Sequence, residues 1–328
     1  MIGRREFITL LGGAASAWPI AAQAQQSAKV PHIGFLGLAP ASTFATRVDA
    51  LRTGLRDLGY IDGKNIAIEF RWAETVDDLP DCAAEFVQMR VDIIFAPVST
   101  FVAPARQATS TIPIVFASHA DPVGVGHVAS LARPGGNITG LSMLLTELAV
   151  KELEILKEAV PQAFRFGVIW NPTIPSHVPA LRAVESASKA LGLELREVSM
   201  RRIEEAEQAF ASMTQAQVGG FLVLASPAAY SERGARLAEL ALKHRLPGMF
   251  GIEENAQAGG LMSYSADVLD LYRRSAAYID KIIKGANPAE LPVEQASKYK
   301  FVINLKTAKA LGFEVPPTLL ARADEVIE

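Results

Sequence analysis

The stretch DPVGVGHVASLARPGGNITG, from Asp121 to Gly140, raises the question of whether this chain binds a dinucleotide or uses these glycines in a turn. Within it, Gly124, Gly126 and Ala129 follow the spacing G-x-G-x-x-A. That spacing can mark the turn that holds the pyrophosphate of a dinucleotide. Glycines also occur wherever the chain makes a tight turn, so their surroundings have to decide between the two readings.

The surroundings of these glycines favour a turn over a nucleotide site. A dinucleotide turn follows a strand directly and needs an acidic residue about 20 residues further on. Gly124 instead lies well past the apolar run that ends at Ala117, and the acidic position holds Leu144. The segment RPGGNITG (133–140) is typical of a tight turn that leads the chain into a crossover.

Strand-like and helix-like patterns alternate on both sides of this stretch. Before it, the apolar run 30–36 predicts a buried strand. The residues that then recur at helical spacing are Phe44, Val48, Leu51, Leu55 and Leu58. After Gly140 the alternation restarts, with strands predicted at FGVIW (166–170) and FLVLAS (221–226) and helices between them. Such alternation is typical of parallel sheets that are covered by helices on both faces.

The alternation predicts an α/β fold with two Rossmann-like lobes whose parallel sheets are joined by a multi-crossover hinge. Apolar residues at helical spacing between Val268 and Ile283 predict a long helix after the second round, and extended segments follow it. We therefore expect lobe I at 29–141 plus about 264–290, and lobe II at 142–263 plus about 291–328. Two lobes on a hinge can close around a ligand.

The amino terminus is typical of an export signal. Arg4 and Arg5 precede an apolar run with small residues, and Ala22-Gln23-Ala24 forms an A-x-A cleavage pattern. Residues 1–24 are therefore predicted to be a signal peptide, which places the mature protein in the periplasm. The paired arginines resemble a twin-arginine signal, and a general secretory signal is the alternative.

Composition excludes several classes of function. The chain has 328 residues, half of them hydrophobic, and a net charge of −3, so nothing favours nucleic acid as a partner. The single cysteine, Cys82, cannot form an internal disulfide or a metal site by itself. The sequence contains none of the nucleophile, zinc or Walker motifs, so we expect no enzyme activity, no metal and no cofactor. An exported α/β enzyme such as a hydrolase is the alternative.

Polar side chains follow the predicted strands of both lobes. In open parallel sheets, ligands bind beyond the carboxyl ends of the strands. Hydroxyl, amide and carboxylate groups at those ends suit a small polar solute, and an apolar loop after the first strand suits an apolar or aromatic body. The candidate ligand-binding residues are Leu38, Ala39, Ser99, Thr100, Ser118, Asp121, Asn171, Ser226 and Glu253.

Several of these residues also have a purely structural interpretation. The hydroxyls of Ser99 and Thr100 could cap the helix that follows them. Asp121 and Asn171 each precede a proline and could hold a turn. Glu253 could be one half of a solvated acidic pair.

The chain also resembles a known family, the TrpX-like substrate-binding proteins of ABC transporters. The opening stretch is similar to the family pattern D-P-V-G-x-G-x-V-x-S-L-A-R-P-G-G-N-x-T-G. Further family-like blocks follow in order along the chain, among them ATSTIPIVFAS (108–118), AGGLMSYSAD (258–267) and ADEVIE (323–328).

The resemblance implies a type I periplasmic-binding fold with three crossovers between its lobes. Similar proteins carry a solute to an ABC permease and its ATPase, and some bind aromatic amino acids or other small, often aromatic or carboxylated compounds. The implied ligand is therefore an aromatic amino acid or a small aromatic carboxylate, captured by a protein that we expect to be a monomer. The loop from Leu38 to Ser42 is more apolar here than in many relatives.

Overall fold

The computed structural model describes residues 30–225 and 232–328. It contains two sheets, and all strands are parallel in the first sheet. Its strands are β1 (His32–Leu38), β2 (Ala67–Ala73), β3 (Ile93–Phe95), β4 (Ile114–His119), β5 (Ile138–Ser142) and β11 (Glu294–Gln295). They run in the order β2-β1-β3-β4-β5-β11, and every pair is parallel. The helices that cover this sheet are α1 (Ala45–Asp57), α2 (Leu79–Gln88), α3 (Ser99–Ala108) and α9 (Val268–Ile283).

The second sheet is parallel except at one pair. Its strands are β6 (Arg165–Trp170), β7 (Glu194–Ser199), β8 (Gly220–Val223), β9 (Gly248–Phe250), β10 (Met262–Ala266), β12 (Tyr299–Asn304) and β13 (Glu325–Ile327). Their order is β7-β6-β8-β9-β10-β12-β13, with β10 and β12 antiparallel. Its helices are α4 (Leu145–Ala159), α5 (His177–Ala190), α6 (Ala206–Gln215), α7 (Glu232–Lys243), α8 (Glu253–Gln257), α10 (Leu305–Leu311) and α11 (Pro317–Leu320). The predicted α/β fold is confirmed.

Helix α1 shows how the apolar spacing builds each layer. Val48, Leu51 and Leu55 are buried against the first core, as their spacing predicts. Leu58 was expected to continue this face but is 43% exposed. The helix ends before it, and Gly59 turns the chain away with a φ of +89°, a conformation that glycine adopts without strain.

The chain passes between the sheets at three places among the described residues. It leaves the first sheet after β5, returns after β10 and leaves again after β11. These changes differ from the predicted bounds. All of β10 lies in the second sheet, although the first lobe was expected to resume at about 264. Strand β11 pairs with β5 in the first sheet, although residues after about 291 were assigned to the second lobe.

The opening stretch is a folded loop followed by a strand. Asp121 Oδ1 accepts the Gly124 N–H at 2.8 Å, and the Pro122 carbonyl accepts the amides of His127 and Val128. No helix begins at these glycines, so a phosphate would find no helix amino terminus there. Gly140 lies in β5 with a φ of +148°, and a Cβ atom there would collide with the Phe116 carbonyl. The glycine therefore permits close approach of two strands.

No helix within 30–225 or 232–328 is both long and apolar enough to cross a membrane. The predicted signal peptide, residues 1–24, lies outside the described residues.

Candidate ligand-binding site

Two cavities lie between the lobes, beside the crossovers. The first, called here the α1–α8 cavity, measures about 250 Å³, and its lining includes Thr46 of α1, Met143 and Glu253 of α8. The second, called the β4–α5 cavity, measures about 470 Å³ and extends from Asp121 after β4 to Pro179 in α5. Both cavities are therefore lined by residues of the two sheets' carboxyl edges.

Ser99 and the residues after β4 form the carboxyl edge of the first sheet, called here the first-lobe wall. Ala120 and Asp121 of this wall line the β4–α5 cavity, whereas the linings of the two interlobe cavities do not include Ser99, Thr100 or Ser118. Ser99 begins α3, and its Oγ accepts the Ala120 N–H at 2.8 Å. Ser118 is buried and its hydroxyl donates to the Pro97 carbonyl at 3.3 Å. An isolated bridge between Val98 and Ser118 ties the two strand ends together. The sequence-predicted residues Ser99 and Ser118 are thus brought together.

A pair of histidines supports this wall from behind. His119 is fully buried, and its Nδ1 accepts the Asp121 N–H at 3.2 Å. The proton of the neutral ring therefore lies on Nε2, which donates to His127 Nδ1 at 2.7 Å. Burial lowers the pKa of His119 well below its usual value, and it lowers the pKa of His127 to about 4. Both rings are consequently neutral at pH 7.

Ser99, His119 and His127 are residue types that can form a nucleophile and its base. Their geometry instead indicates that they support the backbone of the loop after β4. Ser99 Oγ lies 3.4 Å from His119 Nδ1, which is longer than the hydrogen bond that activates a nucleophile. That nitrogen already accepts the Asp121 N–H, and the serine oxygen already accepts a backbone amide. The arrangement therefore positions the loop after β4 and gives no support to a hydrolase.

The remaining first-lobe candidates differ in how their polar atoms are used. Thr100 Oγ1 is buried and has no hydrogen-bond partner within the described part of the chain. Asp121 caps its own turn through the Gly124 N–H. The Ala39 N–H donates to the Ala73 carbonyl at 2.9 Å, which fixes the start of the loop after β1, and Leu38 packs against the first core. Thr100 thus keeps a polar atom that a ligand could satisfy.

In the second lobe, Asn171 holds a turn. Its Oδ1 accepts both the N–H and the hydroxyl of Thr173, at 2.9 and 2.8 Å. Its N–H donates to His177 Nδ1 at 3.0 Å, and His177 Nε2 donates to the Ala225 carbonyl at 2.8 Å. Burial lowers the pKa of His177 to about 4. Asn171 lines a small separate cavity with Trp170 rather than either interlobe cavity. Its amide is therefore used within its own lobe.

Two adjacent glutamates project from α8 at the cleft. Glu253 lies 3.2 Å from Lys300 Nζ; burial raises the pKa of its carboxyl, and the lysine opposes that rise. Glu254 forms an ion pair with Arg47 of α1. Glu253 was predicted as a site residue, and it does line the α1–α8 cavity together with Glu254. Ser226, predicted at the end of β8, lies outside the described residues.

Sequence reasoning missed the residues whose partners are distant along the chain. Arg47 and Glu254 are 207 positions apart, and His177 is 48 positions from the carbonyl that it meets. Arg47 lies on the same face of α1 as the buried Leu51 and Gly54. Because an arginine is seldom fully buried, its burial there is not predicted from the sequence alone. A histidine at the start of a helix, six positions after a strand-end asparagine, was the available signal for His177.

Two α/β lobes, three crossovers and cavities between the carboxyl edges of the sheets define the class of two-lobed solute-binding proteins. The family model of the ABC transporter substrate binding proteins matches residues 40–327. The chain therefore belongs to that family. The predicted family resemblance is confirmed at this level.

Comparisons with individual proteins agree with this assignment. A tyrosine-binding protein of Clostridioides difficile (strain R20291) is 29% identical over 265 residues, which is 79% of this chain and 74% of that protein. Among solved structures, a conserved domain protein from Vibrio cholerae has a TM-score of 0.84 at 24% identity, covering 91% of this chain and 100% of that one. An ABC domain from Streptococcus pneumonia in complex with L-Trp has a TM-score of 0.83 at 24% identity, covering 90% and 99%. The structural likenesses concern the fold.

Proposed function

We propose that this chain is the exported solute-binding component of an ABC importer. It captures a small solute between its lobes and delivers it to a membrane permease and its ATPase. The solute is an aromatic amino acid or another small aromatic carboxylate. In this proposal the mature protein begins after residue 24, works in the periplasm as a monomer and needs no cofactor.

One observation supports capture between the lobes above the others: cavities of about 250 and 470 Å³ lie at the junction of two sheets' carboxyl edges. Small-molecule sites are mostly apolar with a few placed polar groups. The α1–α8 cavity combines both kinds of group. Its apolar lining includes Met143, Ile252, Val268 and Leu269, and its polar lining consists of Thr46, Glu253, Glu254, Gln257 and Ser265. The curated relative is named for tyrosine, and a structural neighbour holds L-Trp.

In the proposed binding mode, the hydroxyls of Ser99 and Thr100 hold the ligand carboxylate. Thr100 Oγ1 supports this role because it is buried without a partner among the described residues, and an unmet buried hydroxyl costs about 1–3 kcal/mol. Ser118 supports the wall through Pro97. Glu253 or Asp121 would meet an ammonium group, while Leu38 and Ala39 would cover the apolar body.

The test is calorimetry of the mature chain against a ligand panel. The panel contains L-tryptophan, L-tyrosine, L-phenylalanine, 3-phenylpropionate and L-alanine. We expect dissociation constants of about 1 μM or lower for at least one aromatic compound, and no measurable binding of L-alanine. Comparison of L-phenylalanine with 3-phenylpropionate shows whether the ammonium group contributes. Failure of every aromatic compound to bind would overturn the proposal.

A further inference from the structure

Arg47 is a buried cation at the cleft. Its side chain is only 6% exposed, whereas that of its partner Glu254 is 41% exposed. The guanidinium donates from Nη1 to the Thr43 carbonyl at 2.9 Å and from Nη2 to Glu254 Oε1. Because the Thr43 carbonyl, in the turn before α1, already orients the guanidinium, little conformational entropy is lost when it meets the carboxylate.

The two partners belong to different lobes. Helix α1 packs on α9, which lies on the first sheet, and the contact is so close that a Cβ atom at Gly54 would collide with the Arg273 backbone. Helix α8 packs on β10 and β12 of the second sheet. An ion pair between α1 and α8 therefore has to break when the lobes separate.

The pair also borders the α1–α8 cavity. Thr46, the neighbour of Arg47, lines that cavity together with Glu253 and Glu254. A rigid-body opening of the lobes would enlarge this cavity and separate the ion pair at the same time. Ligand enclosure and ion-pair formation are thus coupled through the same movement.

We propose that Arg47 and Glu254 are positioning residues that hold the two lobes closed over the bound solute. They set the affinity by favouring the closed arrangement, and Arg47 itself is not part of the cavity lining. The inference rests on the proposed function for its effect on affinity. Its effect on the lobes themselves does not depend on any ligand, since the apparent dissociation constant rises as the closed fraction falls.

The first measurement uses the ligand-free protein. Spin labels at Val76→Cys and Arg202→Cys, in a Cys82→Ser background, place probes on exposed positions of the two lobes. Electron–electron distance measurements should show that Glu254→Gln moves the distribution to longer distances. Raised salt should move the parent in the same direction to a smaller extent, because Glu254 is exposed to screening ions while Arg47 is buried. Distributions that coincide for parent and variant would overturn the proposal.

The second measurement is calorimetry with L-tryptophan and L-tyrosine. Glu254→Gln should weaken binding about tenfold. This loss lies between the small effect of removing an exposed ion pair and the large effect of breaking a buried one. Arg47→Glu should weaken it at least as much, and the double variant Arg47→Glu with Glu254→Arg should recover most of the loss. Single variants that bind as tightly as the parent, or a double variant without recovery, would contradict the pairing.

A matched control separates this effect from a general loss of charge. Glu158→Gln breaks the Arg322–Glu158 pair, which lies within the second lobe with a separation of 2.7 Å. This variant should change neither the distances nor the affinity. If the parent binds no compound of the panel, the proposed function fails, while the distance measurement still decides whether the ion pair holds the lobes together.

Discussion

The two lobes support their sides of the cleft with the same side chain in different ways. In the second lobe, His177 joins two backbone groups, the Asn171 N–H at 3.0 Å and the Ala225 carbonyl at 2.8 Å. In the first lobe, His119 Nδ1 accepts the Asp121 N–H at 3.2 Å, and His119 Nε2 donates to His127 Nδ1 at 2.7 Å.

This difference shows where each wall can adapt. His177 fixes two strand ends of one sheet to each other, so the second-lobe wall is held by main-chain geometry. His119 depends on His127, which is only half-buried and can turn to solvent. The first-lobe wall also keeps the hydroxyl of Thr100, which has no hydrogen-bond partner among residues 30–225 and 232–328. We infer that the second lobe supplies a rigid surface and the first lobe supplies the adjustable polar contacts.

The largest expected effect is loss of stability in acid. The folded state holds His119, His127 and His177 neutral, because burial lowers each pKa below the usual 6.5. As pH falls below 6.5 the unfolded chain binds protons that the folded chain does not, so the free energy of unfolding decreases. For His127 and His177 the decrease continues until their folded pKa, about 4, is reached. For His177 alone this amounts to about 3 kcal/mol.

Urea unfolding at pH 7 and pH 4.5 measures this loss. Glu152 acts in the opposite direction, because burial raises its pKa and its contribution is lost as pH rises above 4.5. The control variant His32→Gln, at a partly exposed position, should lose as much stability between pH 7 and pH 4.5 as the parent does. Equal stability of the Glu152→Gln variant, which lacks the opposing carboxyl, at the two pH values would show that the three rings are not held neutral.

The second expected effect is a difference in the stability lost when His177 and when His119 is replaced. His177→Leu should cost about 2–4 kcal/mol at pH 7, because it leaves a buried N–H and a buried carbonyl without partners. His119→Leu should cost about 1–2 kcal/mol, because only one backbone group loses a partner and His127 can be hydrated. The cost of His177→Leu should shrink at pH 4.5, where the parent has already lost much of that contribution. A larger cost for His119 than for His177 would reverse the comparison.

Much of the fold follows from the periodicity of apolar residues. The stripe between Val268 and Ile283 predicted α9, and the structure adds only its cap, where Asp267 Oδ1 accepts the Asp270 N–H at 3.0 Å. Strand β5 was missed, because its five residues follow the glycine-rich turn and include Gly140. Its identity depends on pairing with β4 and β11, which no local pattern reveals.

The candidate site was only partly accessible from sequence. The rule that ligands lie beyond strand ends brought out Ser99, Thr100 and Glu253, since it depends on strand positions alone. The same rule also selected Asn171, but it could not show that the N–H and the hydroxyl of Thr173 donate to the Asn171 side-chain oxygen. Ion pairs such as Arg47–Glu254 form between lobes, so they become visible only when the three-dimensional arrangement is known.

The smallest expected effects come from Thr100→Val and Asn171→Ala, and they have opposite patterns. Thr100→Val removes a buried hydroxyl that has no partner among the described residues, so the ligand-free protein should keep or slightly gain stability, while affinity for the best aromatic ligand falls about tenfold. Asn171→Ala removes the acceptor of two Thr173 donors and should cost about 1 kcal/mol of stability, with less than about a twofold change in affinity. Thermal unfolding and calorimetry on both variants measure the two quantities side by side. If Asn171→Ala weakens binding tenfold while Thr100→Val does not, the adjustable polar contacts lie in the second lobe and the assignment of the two walls is inverted.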